Sequence, residues 1–225
     1  MTDEKDLVRW SEALAGIART GLAFTESLYE RERYEEVLHV AADIQAHFSE
    51  AESESPDQKI DEWMRSVGEG VPGYVTPKVA IGAVVGNDKE EILLIQRSDS
   101  GVWLFPTGFA DIGYSAAEIA EKEVLEETGI EVQASRIISI LDGVRGGFTR
   151  MPLYSIVFQC RVIGGVLNPH PLECDDVGFF HQDSLPEPLA GSGNWVDHAF
   201  KAIRNEPIEV EFDNPRRPVW KKPII

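Results

Sequence analysis

From Pro106 to Ile130 the chain reads PTGFADIGYSAAEIAEKEVLEETGI, a glycine-bearing loop running into a helix with Glu123, Glu126 and Glu127 crowded into its last two turns. The helix limits are set locally. Ser115 followed by Glu118 forms an S-x-x-E capping box, and Gly129 stands where a left-handed C-terminal residue is wanted. Spacings of three and four residues bring Glu126 and Glu127 beside Glu123, where like charges repel by about 0.2–0.5 kcal/mol per pair. The helix dipole adds to the penalty, since anions are disfavoured at a C-terminal end. A divalent cation reverses both terms, because Mg²⁺ or Mn²⁺ prefers carboxylate oxygens and keeps water positions open for substrate phosphates. Ala117, Ala120 and Val124 fall on the other side and mark the face that packs on a core. The competing reading is a solvated acidic face in an acidic protein.

Charge narrows the class of partner. The net charge is −18, with 17 acids against 7 bases before Gly70 and 22 against 14 after it. Such a surface repels polyanions, and no basic patch of useful size is present to release counterions, so nucleic acid is not expected as a partner. A small anionic substrate escorted by Mg²⁺ is compatible, because the cation neutralises phosphates locally. The acidic start MTDEKDL lacks the pattern of a signal peptide, and apolar runs such as VAIGAVV are too short to span a bilayer. No membrane association and a cytoplasmic location are therefore expected. Cys160 and Cys174 are too few for a disulfide framework and lack zinc-ligand spacing, which reads as two reduced structural thiols.

Two domains are expected in 225 residues, 43% of them hydrophobic. VPGYVTP at 71–77 interrupts the pattern and predicts a linker. Residues 1–70 read as helices: Leu7, Trp10, Leu14 and Ile17 share helical spacing, as do Tyr34, Val37, Leu38, Ala41, Ile44 and Phe48, with a shorter helix from Asp57 to Val67. So few helices make a thin core, and their stripes predict packing on a second subunit, against the alternative of packing within the monomer. Residues 78–205 turn to strands. KVAIGAVV and EILLIQR flank Gly86–Lys89 as a hairpin, Trp103 to Pro106 forms a short strand, and VQASRIISILD, PLYSIVFQCRVI and VGFFH follow, before a closing helix from Trp195 to Arg204. Strand runs with flanking helices indicate an α+β sandwich. Residues 206–225 form a tail ending RRPVWKKPII, basic and apolar, which reads as a frayed end or as a segment docking on the acidic body.

The segment Gly108–Ile130 resembles the Nudix box, G-x5-E-x7-R-E-U-x-E-E-x-G-U with U a bulky apolar residue. Gly108, Glu123, Val124, Glu126, Glu127, Gly129 and Ile130 match, while Tyr114 stands for the first Glu and Lys122 for the Arg. The resemblance implies a mixed-sheet α/β/α sandwich and a metal-dependent hydrolase of phosphoanhydrides. It implies that Glu123 and Glu127, with the Gly108 carbonyl, hold the metal, and that Glu126 is a further ligand or orients the attacking water. In the family the Arg steadies the catalytic carboxylates and the early Glu is its partner across the loop; Lys122 offers a point charge in place of the Arg, while Tyr114 supplies no carboxylate. An N-terminal helical region with Tyr29, Arg33, Tyr34, Glu35 and Glu36, followed by GYVTPK and a box with Tyr and Lys-Glu, is similar to the CDP-choline pyrophosphatase-like branch. That branch implies a homodimer through the N-terminal helices.

Further candidates lie outside the box. Some family members take a base from a later carboxylate, and LECDDVGFF offers Glu173 first, then Asp175 and Asp176. GVRGGFTRMP departs from the branch, and there Arg145 and Arg150 read either as substrate-phosphate ligands on a lid or as exposed loop charges. Asp111 reads as a turn residue or as an outer ligand. The expected function is Mg²⁺- or Mn²⁺-dependent hydrolysis of a nucleoside diphosphate joined to another group, of CDP-choline or ADP-ribose type. A non-hydrolysing nucleotide sensor is the rival, motivated by Tyr114 and Lys122, and a processive RNA nuclease is a weaker one.

Overall fold

Small residues decide how closely the first two helices approach. In the computed structural model, which describes residues 4–47, 55–65, 76–111 and 113–215, the chain divides into two units, Met1–Lys78 with Gly143–Leu153 and Val79–Asp142 with Tyr154–Ile225. Most of the expected linker, the end of the helix expected to reach Val67, and the last ten residues of the tail lie outside the described residues.

The first unit holds α1 (Glu4–Phe24), α2 (Leu28–Ala46) and α3 (Pro56–Met64). Ser27 caps α2 by accepting the Glu30 N–H, and Ser55 and Gln58 make a full capping box ahead of Pro56 at the start of α3. Ala15, Ala18, Leu22, Leu38, Ala41, Ala42 and Trp63 form the core. A Cβ on Gly21 would collide with the Tyr34 ring, so the α1–α2 approach depends on that glycine. Ser11 is buried in the seam and its Oγ donates to the Ala41 carbonyl at 2.7 Å. The buried face of α1 is Val8, Ser11, Ala15, Ala18 and Leu22. Of the expected stripe, Leu14 packs on this core, while Trp10 and Ile17 stay 42% and 62% exposed, and Phe24, one further heptad on, stays 54% exposed. A one-turn helix, α5 (Gly143–Gly146), belongs to this unit as well.

The second unit is an eight-stranded mixed sheet in the order β3-β2-β1-β6-β5-β8, with β4 paired to β1 and β7 to β2. Its strands are β1 (Lys78–Gly86), β2 (Ile92–Arg97), β3 (Trp103–Leu104), β4 (Thr107–Phe109), β5 (Ile130–Asp142), β6 (Leu153–Gly165), β7 (Cys174–Phe180) and β8 (Glu211–Phe212). The β1–β2 hairpin turns at Asn87, whose side chain accepts the Lys89 and Glu91 N–H groups. Short strands β4 and β8 were not legible beforehand.

Burial on both faces explains the unbroken apolar runs of β1 and β2. Ile81, Ala83, Val85 and Leu93 pack under α4 (Ala116–Thr128) through Ile119, Ala120 and Val124. Val84, Ile92 and Leu94 pack on the other face against Ala199, Phe200, Ala202 and Ile203 of α6 (Val196–Ile203). The result is the α/β/α sandwich, each fully buried Leu, Ile or Phe contributing about 1.5–3 kcal/mol. Cys160 and Cys174 are buried free thiols, and Cys160 is pushed up to about 12 by burial. Among the described residues no helix is long and apolar enough to cross a membrane.

Candidate active site

The C-terminal half of α4 is where acids are held against their electrostatic preference. Ser115 and Glu118 close the capping box, the Ser115 N–H donating to Glu118 at 2.6 Å, and Gly129 ends the helix at φ 73°. The last carbonyls of α4 are satisfied by the chain after β6: Val166 donates to Gly129 at 3.2 Å, Asn168 to Thr128 at 2.8 Å and His170 to Glu127 at 3.1 Å. A Cβ on Gly129 would meet the Val166 carbonyl, so both the turn and this close approach require glycine. Glu127 and Thr128, whose carbonyls are met in this way, are buried.

Glu127 is 4% exposed. Burial raises its carboxyl to about 8, and the nearby Glu123 and Glu173 push the same way, against the Thr107 N–H and the Arg97 charge. The Thr107 backbone N–H donates to Glu127 Oε2 at 2.9 Å. Glu123 lies one helical turn back and is also raised by burial, with Lys122 opposing and Glu126, Glu173 and Asp111 adding to the rise. Its carboxyl occupies the space that a side chain on Gly108 would fill. Gly108 itself is held in β4 opposite Ile81 of β1. The first box glycine is thus the floor of a carboxylate cradle, and any Cβ would displace Glu123.

Glu173 arrives from the other side of the sequence. His170 carries its backbone from the Glu127 carbonyl to the start of β7, where its own carbonyl accepts Glu173 N–H at 3.3 Å and Cys174 N–H at 3.0 Å. The Ser98 N–H then fixes the Glu173 carbonyl at 2.9 Å from the end of β2. The Glu173 charge acts on both Glu123 and Glu127, although Glu173 is itself exposed, as are Asp175 and Asp176 along β7.

Lys122 donates to Glu126 at 2.8 Å and lies 3.3 Å from Asp111, an acid of the box loop. Glu126 is exposed, on the rim of the group. Arg97 was not singled out from the sequence. It ends β2 opposite Cys174, its Nε and Nη2 clasp Asp99 at 2.9 and 2.6 Å, and its charge lowers the Glu127 carboxyl. A strand-ending Arg followed by Asp two residues later is a weak signal, and only the β2–β7 register gives it meaning. Arg145 lies at the end of α5 and Arg150 follows it, both in the segment that clusters with the helical unit, while every carboxylate above belongs to the sheet unit.

The donor set fits a hard divalent cation. Burial first, with the Glu173 charge adding to both, raises the proton affinity of Glu123 and Glu127, a penalty that a bound cation would remove, and Gly108 leaves the space that the Glu123 carboxyl occupies. Among the described residues no group of three or more acidic, His or Cys side chains is placed to hold a metal ion by itself. Mg²⁺ is commonly bound by one or two carboxylates, with water and substrate phosphates completing its shell.

Comparison with known proteins agrees with this arrangement. Residues 76–200 match the NUDIX domain, and residues 5–58 match the UDP-X-like, N-terminal oligomerisation domain. The chain is 31% identical over 207 residues to the putative ADP-ribose pyrophosphatase YjhB of Bacillus subtilis, covering 90% of this chain and 95% of that one. Among solved structures, an ADP-ribose pyrophosphatase from Streptococcus suis is similar with a TM-score of 0.53 and 35% identity, covering 61% of this chain and 100% of that one. A UDP-X diphosphatase is similar with a TM-score of 0.56 and 25% identity, over 95% of this chain and 100% of that one.

Proposed function

The chain belongs to the Nudix family of hydrolases, and from that premise we propose that it is a Mg²⁺-dependent pyrophosphatase. Its substrate is a nucleoside diphosphate linked to a second group, of ADP-ribose or CDP-choline type, and its products are a nucleoside monophosphate and the phosphorylated second group. The relatives named above are an ADP-ribose pyrophosphatase, a putative one and a UDP-X diphosphatase, which supports this class. The observation that carries the reading is the Glu127 carboxyl, buried yet hydrogen-bonded to Thr107 and set beside Glu123 over Gly108.

Glu123, Glu127 and the Gly108 carbonyl are the proposed metal ligands. When bound, the cation neutralises the diphosphate and lowers the pKa of a coordinated water. Glu126, on the rim, orients the water, and Glu173 takes its proton as general base. The water oxygen forms a bond to one phosphorus, the bridging P–O bond breaks, and the other half leaves with the bridging oxygen. Lys122 holds Glu126 in place. Arg145 and Arg150 remain proposals for substrate contact, resting on their charge alone.

The N-terminal helices are proposed to form a homodimer. The match to an oligomerisation domain supports this, as does the exposure of Trp10 and Ile17 on α1.

A panel of nucleoside diphosphate conjugates assayed with and without Mg²⁺ tests the reading. Cleavage of one class, lost without metal and in Glu127→Gln, is the expected result. Binding with no turnover, unchanged in Glu127→Gln, would establish the nucleotide sensor instead.

A further inference from the structure

The chain departs from its family's pattern at two positions at once: Tyr114 replaces the loop acid and Lys122 replaces the Arg. Both halves of an acid–base pair between loop and helix are changed, yet the loop and helix are still tied. Lys122 Nζ is 3.3 Å from Asp111 Oδ2 in the loop and 2.8 Å from Glu126 Oε2 on the helix. Spacing along α4 offers Glu118 as an equally placed partner, but Glu118 is committed to the Ser115 N–H at 2.6 Å in the capping box. The Tyr114 N–H points to the Asp111 carbonyl across 3.5 Å, so positions 111 and 114 are the two ends of one turn.

We propose that Asp111 is the loop acid of this chain's motif, a positioning residue that acts through Lys122, the acid–base latch having moved from position 114 to position 111. The change of base follows from the change of geometry. A guanidinium fork binds one carboxylate in its own plane, whereas an ammonium directs three donors apart and serves two carboxylates lying in different directions. Lys122 meets that need, with one acid on each side of it.

The latch bears on the site because the loop it closes begins at the cradle. Thr107 and Gly108 of β4, which position Glu127 and Glu123, lie just before Asp111 in the chain. Anchoring Asp111 to α4 keeps that loop against the two ligating carboxyls and turns Glu126 toward the rim. Both partners of the pair are partly exposed, so its effect belongs to loop order and site geometry, not to global stability.

This inference rests on the hydrolase reading only for its catalytic consequence. The test uses the full-length protein in three forms besides wild type: Asp111→Asn, Asp111→Glu, and Asp111→Asn combined with Tyr114→Glu and Lys122→Arg, which restores the family's own pair. Amide hydrogen exchange of peptides covering 107–115, measured without metal, reads the latch. Exchange is expected to quicken several-fold in Asp111→Asn, to stay near wild type in Asp111→Glu, and to return in the triple variant. Steady-state kinetics with Mg²⁺ should show kcat reduced roughly tenfold in Asp111→Asn, a fraction of what a 1 Å misplacement costs, with KM little changed and kcat restored in the triple variant. Unchanged loop exchange in Asp111→Asn overturns the latch, and loosening that the restored pair does not reverse overturns the equivalence of positions 111 and 114. If wild type cleaves no diphosphate, the hydrolase reading fails while the exchange data still decide the latch.

Discussion

Thr107 donates its backbone N–H to the Glu127 carboxylate across 2.9 Å, joining the first residue of β4 to the last turn of α4. That bond stabilises the ionised form of a side chain whose burial does the reverse, and burial wins. A cation bound there would tip the balance back, making metal binding and proton release one coupled event.

A pH dependence follows for the metal-free protein. Glu127 has an ordinary value of 4.5 and a folded value of about 8, so between these the unfolded chain has lost the proton that the folded chain keeps. Its contribution to stability therefore declines as pH rises through that window and levels off above it. Glu127→Gln should be flatter over the same range and melt higher than wild type at pH 8, each kcal/mol moving Tm by about 2–4 °C in a chain of this size. Thermal unfolding in chelator from pH 5 to 9 measures this; parallel curves would show that Glu127 titrates normally.

Glu173→Gln separates a base from a ligand. With Glu123, Glu127 and Gly108 intact, Mn²⁺ affinity should be nearly unchanged while kcat falls about 10²–10⁴-fold. Calorimetric titration with Mn²⁺ beside steady-state kinetics decides it. A kcat within a factor of two or so of wild type would return the role to another acid.

Gly108→Ala tests the cradle. The added methyl meets the Glu123 carboxyl, and overpacking of this kind costs about 1–3 kcal/mol. Loss of Mn²⁺ binding with a lowered Tm is expected. Gly101→Ala is the control: its φ of 68° is strained for alanine, but nothing lies within 4 Å of the new Cβ, so Tm drops and metal binding survives.

Ile17→Asp tests the uncovered stripe of α1. Its side chain is 62% exposed, so the helix should form as before by circular dichroism, while sedimentation shifts from dimer to monomer. Ala18→Asp would instead disrupt the core of the helical unit, since Ala18 is fully buried. A dimer that survives Ile17→Asp places the interface elsewhere.

The second unit was legible in outline because its signals are local. Ser115, Glu118 and Gly129 bound α4 through contacts with near neighbours in the chain, and β1 and β2 announce burial on two faces by unbroken apolar runs. Matching residues at Gly108, Glu123 and Glu127 came with a spacing that only one helix register satisfies. By contrast α1 carries two interleaved apolar series: one is buried within the unit, while Trp10 and Ile17 of the other, expected to meet a second subunit, stay exposed. Periodicity finds a helix; it does not say which face a neighbour will take when Val8, Ala15 and Leu22 lie one position along from Leu7, Leu14 and Gly21.

What the sequence by itself determined is the motif, the helix that carries it and the class of cation that its acids suit, because each depends on residues a few positions apart. Tertiary structure alone decided which distant groups join them. Glu173 reaches the site through the β2–β7 register and the His170 turn, Arg97 through the same register, and Asp111 rather than Glu118 pairs with Lys122 because the capping box had already taken Glu118. Spacing along the chain fixes distance only within one element, and between elements the packing of the sheet sets it.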